Sequence, residues 1–355
     1  VELTVAIHRV YDTAKDRLVF DVGHQCYCHK ILTGRADRMT TLRKMGGLSG
    51  FPKPEESEHD AFIAGHASNS VSVAVGMARA RTLQKQDYQV IALIGDGALT
   101  GGLAYEGLSN AGQSGEIKKS IKGTILPSSF FEDMGFTYIG PVDGHQVGEL
   151  TRLLRWAKSL EGPVLLHVRT VKGKGWPHAE ETPDAYHGVS PFDLATGKPL
   201  KASGQNFSSV FGEELSRLAV EDPKICAVTA AMRSGTGLDP FAIRCPERFF
   251  DVGIAEGHAV AMCSGMAKQG MLPVFAVYSS FLQRGYDMLI HDMALQRLHM
   301  VLGVDRAGLV GDDGETHQGL FDVAYLSTVP GLTLLAPASF AETRSMLYRA
   351  LYELD

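Results

Sequence analysis

Cysteine is scarce and unpatterned in this chain. The five, Cys26, Cys28, Cys226, Cys245 and Cys263, are odd in number and lack CxxC spacing, so no disulfide framework is expected. Cys26, Cys28 and His29 are able in principle to grip a metal, with packing beside a turn as the plainer reading. No apolar run approaches the roughly 20 residues that a membrane-spanning helix needs. The opening VELTVAIHRV lacks the basic, apolar and small-residue order of a secretory signal. A soluble protein of a cytosol-like compartment is therefore expected, with a plastid as the alternative if a transit peptide has been removed. Basic excess is missing too. A net charge of -6 and a pI near 6.1 argue against a duplex nucleic acid, whose phosphates ask for a cationic face. Anionic ligands must then be held by local cations.

What is present is enough for two cores. Single domains run to roughly 100–200 residues, and this chain has 355, with a hydrophobic fraction of 45% that rules out a disordered composition. LVFDV (18–22) reads as a short strand entering a Gly-His-Gln turn, and QVIALI (89–94) as a buried strand after a helix-like stretch over 71–83. Leu150, Leu153, Leu154 and Ala157 recur at helical spacing, and PVLLHVRT (163–170) returns as a strand. From about 176 to 206 the pattern dissolves into Pro and Gly punctuation, which predicts a linker. Alternation then resumes with a helix near 208–220, strands ICAVTA and RFFDVG, a helix after Ala255, strand LPVFAVY, a helix through 281–298 and strand HMVLGV. The expectation is an α/β protein with two doubly wound parallel-sheet domains, 1–175 and 207–355, whose ligand loops lie at strand C-terminal ends.

Gly95-Asp96-Gly97-Ala98 ends a strand with small residues that let backbone approach a phosphate and one hard oxygen ligand for a divalent ion. A plain Asp-Gly turn is the alternative. The run GDGALTGG, taken with FDVGHQ (20–25), HKILTGR (29–35), GHASNS (65–70) and GPVDGH (140–145), resembles the deoxyxylulose-phosphate synthase family of thiamine-diphosphate enzymes. The likeness continues through AAMRSGTGL, FFDVGIAEGHAV, YSSFLQRGYD, DRAGLVGDDG and THQG, so it covers nearly the whole chain.

The resemblance implies thiamine diphosphate and Mg²⁺ as cofactors, pyruvate and D-glyceraldehyde 3-phosphate as substrates, a homodimer, and no nucleic-acid or membrane partner. The reaction it implies decarboxylates pyruvate and joins the remaining two carbons to the aldehyde, feeding isoprenoid, thiamine and pyridoxal synthesis. Transketolase, or a pyruvate-decarboxylating component of the same fold, is the neighbouring alternative, and a fragment that binds cofactor without turnover is the other. Carried over by position, Asp96 is the metal ligand, and His24, Gly65, His66, Ala67, Gly97, Ala98, Lys172, Trp176 and Glu256 line the cofactor. Tyr278, Arg284, Arg306, Asp313 and His317 meet substrate, and His24, His187, Glu256 and His317 take part in catalysis.

The chemistry of these assignments is intelligible. Lys172 offers phosphate a mobile point charge, and a carboxyl such as Glu256 in an apolar pocket gains proton affinity suited to acid–base work. The arginines offer planar forks to carboxylate or phosphate. Each also has a plain alternative: a solvated lysine, a charge on a helix N-terminus, a surface arginine, a structural histidine.

The chain departs from the family pattern in four places. Gly257 stands where the family usually has Gln. The chain starts at VELTVAI, just past the family's Gly-Gly-His segment, and stops at LYELD, before its smaller third domain. Finally, AGQSGE runs straight into IKKSIKGTILPSS, without the apolar strand and Asn-rich turn that complete the family's magnesium motif, which suggests a deletion or omitted stretch around Glu116–Ile117.

Overall fold

A computed structural model describes residues 1–23, 26–63, 65–113, 130–183, 186, 191–200, 204–311 and 314–354. In the first part of the chain, helix α1 (Glu2–His8) leads to strand β1 (Arg17–Phe20), and helix α2 (Ser70–Leu83) to strand β2 (Val90–Leu93). Then come helix α3 (Gly102–Gln113), strand β3 (Thr137–Asp143), helix α4 (Val147–Lys158) and strand β4 (Val164–Arg169). β1 and β2 pair in parallel from Arg17↔Val90 to Phe20↔Leu93, and β3 pairs with β4 from Thr137↔Val164 to Asp143↔Arg169.

Among the described residues these are two separate two-stranded sheets. They nonetheless share one core. Ile7, Leu18, Phe20, Leu150 and Leu154 are buried together, with Ile91, Leu93, Leu166 and Val168 packed against them. α4 buries Leu150 and Leu154, two of its four helically spaced apolar positions. The strand read as buried at 89–94 is only half-buried over Val90–Leu93, because a parallel strand is sealed only when neighbours cover both edges and both faces.

The second half is more complete. Helix α5 (Phe207–Glu221), strand β5 (Ile225–Thr229), strand β6 (Phe249–Asp251), helix α6 (Glu256–Lys268), strand β7 (Leu272–Tyr278), strand β8 (Val301–Asp305) and helix α7 (Phe340–Tyr352) build a four-stranded parallel sheet of order β6-β5-β7-β8. Side chains alternate across it as strand geometry requires. Ala227, Val274 and Ala276 pack with Leu215, Leu218, Leu347 and Leu351 of α5 and α7. Val228, Phe275 and Val277 face the other way, onto Ala259, Val260 and Cys263 of α6. Every residue of β5 is buried. α5 starts where Asn206 accepts from the Ser209 amide and the Ser209 hydroxyl answers the Asn206 amide, a reciprocal cap.

The single helix expected over 281–298 is instead a chain of short helical turns, from Ser279–Leu282 to Ala294–Gln296. Gly285 lets it press on α6, where a Cβ would come within 2.9 Å of a Val260 methyl. The run ends at Arg297 in the left-handed region.

The stretch between the two halves carries its own contacts. Trp176 packs edge-on to Tyr186 at 4.8 Å and stacks on Phe192 at 5.1 Å. All five cysteines are free. His29 is committed to His8 and Asp60, at 2.9 Å each, and not to Cys26 or Cys28.

Candidate functional site

The strand ends of the two halves face each other. Beyond β1, the buried Asp21 carboxylate accepts from the amides of Ser68 (2.7 Å) and Ser70 (3.1 Å), fixing the loop that enters α2. Ser68 sits in the left-handed region and donates its hydroxyl to the Ala98 carbonyl at 2.6 Å, joining this loop to the turn after β2. That turn reaches the second half, where the Ile254 amide donates to Thr100 Oγ1 at 2.8 Å. There is no room for more than hydrogen at Gly101, whose Cβ would lie 2.2 Å from Ser68 Oγ and 3.0 Å from the Ile254 carbonyl. Gly65 is equally tight against Thr316.

Glu256, the first residue of α6, is 3% exposed at this junction. Burial pushes its proton affinity above the usual carboxylate range, opposed by a backbone N–H and by Arg284. Arg284 Nη1 lies 3.7 Å from Glu256 Oε2, while Nη2 donates to the Ala67 carbonyl across the junction. His66 Nε2 is 3.1 Å from the Ser280 carbonyl, and its ring meets Phe281 edge-on at 5.2 Å. Burial lowers the proton affinity of His66, and Arg284 lowers it further.

His317 stacks on Phe51 at 5.0 Å and stands 6.3 Å from the His66 ring. Its Nδ1 is 2.8 Å from Thr316 Oγ1. At the end of β7, the Arg306 guanidinium lies 4.0 Å over the Tyr278 ring, a cation–π contact.

Of the residues expected from the sequence, Gly65, His66, Ala67, Ala98, Glu256, Arg284 and His317 meet at this junction, and Tyr278 and Arg306 lie together at the end of β7 and β8. Asp96 and Gly97 are exposed in the turn after β2. The Asp96 carboxylate accepts from the Gly97 amide at 2.9 Å, and open space lies where a Gly97 Cβ would point. Lys172 is exposed in the turn after β4, and the Trp176 ring is engaged by linker aromatics. His24, His187 and Asp313 lie outside the described residues.

Sequence reading missed Asp21, Ser68, Thr100, Thr316 and Phe281. Asp21 alone left a signal, a carboxylate closing an apolar strand. The others act across separations such as 154 residues for Thr100 and Ile254, which no local pattern encodes.

A buried carboxyl facing a guanidinium, at a junction that also gathers the rings of His66, Phe281 and His317, fits the ring end of a nitrogen-heterocyclic cofactor. A metal centre is not completed in the same way: among the described residues, no group of three or more His, Cys, Asp or Glu side chains is placed to hold an ion.

Comparison with known proteins gives a consistent result. Residues 1–117 and 113–170 match the family model described as 1-deoxy-D-xylulose-5-phosphate synthase, and 203–355 match the transketolase pyrimidine-binding domain. The chain is 48% identical to 1-deoxy-D-xylulose-5-phosphate synthase of Symbiobacterium thermophilum, covering 99% of this chain and 63% of that protein. It is 46% identical to the enzyme of the same name from Carboxydothermus hydrogenoformans, covering 99% of this chain and 66% of that protein. Both alignments run to 411 residues, longer than the chain itself, so these relatives hold residues that it lacks. Among solved structures, a transketolase from Leishmania mexicana aligns over 96% of this chain and 68% of that one at 19% identity, with a TM-score of 0.40, too loose a likeness to bear on the site.

Proposed function

The chain belongs to the 1-deoxy-D-xylulose-5-phosphate synthase family, and from that membership we propose that it binds thiamine diphosphate at the junction of its two halves and serves decarboxylation of pyruvate with carboligation to D-glyceraldehyde 3-phosphate. It spans about two thirds of the length of the curated relatives it matches, so the activity is proposed for this chain and not transferred to it. The observation that carries the reading is Glu256, a buried carboxyl of raised proton affinity where the strand ends of both halves converge.

When bound, thiamine diphosphate supplies the electron sink for the carbon chemistry. The chain's residues have more ordinary tasks. Glu256 holds a proton at a ring nitrogen of the aminopyrimidine. Gly65, His66, Ala67, Gly97 and Ala98 shape the walls, and Lys172, Trp176 and His24 are proposed to complete the cofactor side. On the substrate side, Arg306 pairs with a carboxylate or phosphate beside Tyr278, with Asp313, His317 and His187 orienting bound groups. Asp96 is proposed as a divalent-ion ligand, but the described residues do not complete its shell, and no step is routed through a metal. A homodimer, which light scattering tests, and a bacterial cytoplasmic location belong to the same proposal. Among the described residues no helix is long and apolar enough to cross a membrane.

Replacing Glu256 with Ala tests the reading. Proton exchange at the thiazolium carbon of bound cofactor, followed by NMR, is expected to slow by roughly 10²–10⁴-fold. Unchanged exchange would remove Glu256 from this role. Carbon dioxide release that needs glyceraldehyde 3-phosphate separates the proposed reaction from a pyruvate-decarboxylating component, and a ketose donor replacing pyruvate would point to transketolase.

A second reading is favoured by one observation: among the described residues the first half holds two separate strand pairs, and the alignment to the relatives runs to 411 residues against the 355 of this chain. On that reading the chain binds cofactor without turnover. Calorimetric binding with no product supports it, and product formation excludes it.

A further inference from the structure

Arg284 reaches in two directions. One guanidinium nitrogen lies 3.7 Å from Glu256 in the second half, and the other donates to the Ala67 carbonyl in the first. Ala67 belongs to the loop that Asp21 fixes through the Ser68 and Ser70 amides and that Ser68 ties to Ala98. The fork therefore spans a well-anchored loop and a nearly inaccessible carboxyl. Turning it toward a substrate anion would strip Glu256 of its cation and leave the Ala67 carbonyl without this donor. Removing one partner of a buried charge pair is costly, because the other charge is left desolvated. A guanidinium suits the bridging position, since its planar fork serves two acceptors at fixed angles.

We propose that Arg284 is a positioning residue: it ties the Gly65–Ser70 loop to Glu256, so that a positive charge stands against this carboxyl only while the loop is seated. The proposal rests on the role given to Glu256 above. Among the described residues Arg284, from the segment after β7, is the charged side chain that acts on Glu256, and it opposes the effect of burial. Behind it stand His66, whose proton affinity burial and Arg284 both lower, and then His317, 6.3 Å from His66. Coupling of this kind is reciprocal. Displacing the loop favours protonation of Glu256, and protonating Glu256 loosens the loop.

The test uses the whole cofactor-free chain and two substitutions. Arg284→Gln leaves only a neutral amide in place of the charge-assisted donor to Ala67, whereas Arg284→Lys keeps the charge and loses the fork. The Glu256 carboxyl is titrated by NMR in ¹³C-glutamate-labelled protein, and the loop is followed by amide hydrogen exchange over 65–70. In Arg284→Gln the midpoint of Glu256 is expected to move to higher pH, with loop exchange about tenfold faster, the scale of one charge-assisted hydrogen bond. Arg284→Lys is expected to restore the midpoint while exchange stays fast. If Arg284→Gln is too unstable to titrate, Arg284→Lys decides alone: a retained midpoint with faster loop exchange supports the proposal, and unchanged exchange overturns it.

A wild-type midpoint and wild-type loop protection in Arg284→Gln, with weakened pyruvate binding, would make Arg284 a substrate ligand instead. Both readouts are made without cofactor, so they stand apart from the Glu256→Ala exchange experiment. If thiazolium exchange survives Glu256→Ala while Arg284→Gln still moves the midpoint, the functional reading fails and the tie remains.

Discussion

Two buried carboxyls, Asp60 and Glu256, respond to pH in opposite senses. Burial would raise the proton affinity of Asp60, but hydrogen bonds from Arg35, His29 and the Lys53 amide outweigh it and hold the group well below its ordinary value of 3.8. Its folded pKa is thus the lower one. Stability from Asp60 is complete above 3.8 and is lost as pH falls through that value toward the depressed one. Glu256 has the higher folded pKa, so its contribution is present below 4.5 and fades as pH rises through the raised value. In a urea-denaturation series across acidic pH, Asp60→Asn is expected to be less stable than wild type at neutral pH and to lose much of the acid-side slope. A wild-type slope in that variant would place the acid response elsewhere. At this scale the string IAEGHA singled out Glu256, and the structure buries that residue at the start of α6. The sequence was illegible for Asp60, whose partners are assembled by the fold.

At the scale of elements, apolar periodicity served well where burial is complete. Strand β5 lies inside the expected ICAVTA, and α5 spans the expected helix to within a residue at each end, because two sheet faces and a reciprocal cap leave no competing solution. It served less well near the junction. The helix expected over 281–298 breaks into short turns, since the chain must present Arg284 and still pass close to α6 at Gly285. The first half shows the other limit: β2 reads as a buried strand and β4 as an apolar one, yet every residue of β2 is half-buried and β4 exposes His167 and Arg169. Local pattern reports what a strand is suited to, not whether its neighbours are present. Native-state hydrogen exchange should show this difference, with amides of β2 and β4 exchanging faster than those of β5 and β7 under identical conditions. Equal protection would mean that the first half is as well sealed as the second.

Over the whole molecule, the uneven burial predicts unfolding that is not two-state. The chain has two tryptophans, Trp156 on α4 and Trp176 beside the linker aromatics, and neither belongs to the second half. Tryptophan fluorescence therefore reports on the first half and the linker, while far-ultraviolet circular dichroism reports on both halves. The fluorescence transition in guanidinium should come at the lower denaturant concentration. Coincident transitions would show the halves to be one cooperative unit.

The linker with its aromatic cluster also has a consequence in terms of concentration. The junction that gathers Thr100, Ile254, Arg284 and Ala67 is made by two halves of one chain, so their encounter is intramolecular and insensitive to dilution. A tether of this length supplies an effective concentration on the order of millimolar. If a protease cuts between 176 and 206 and both pieces stay folded, that advantage ends and docking becomes a meeting of two molecules. Cofactor binding by the nicked protein should then fall as the sample is diluted toward micromolar, whereas the intact chain holds its affinity throughout. Chain continuity, with no chemistry of its own, would thereby set the working concentration range of the site.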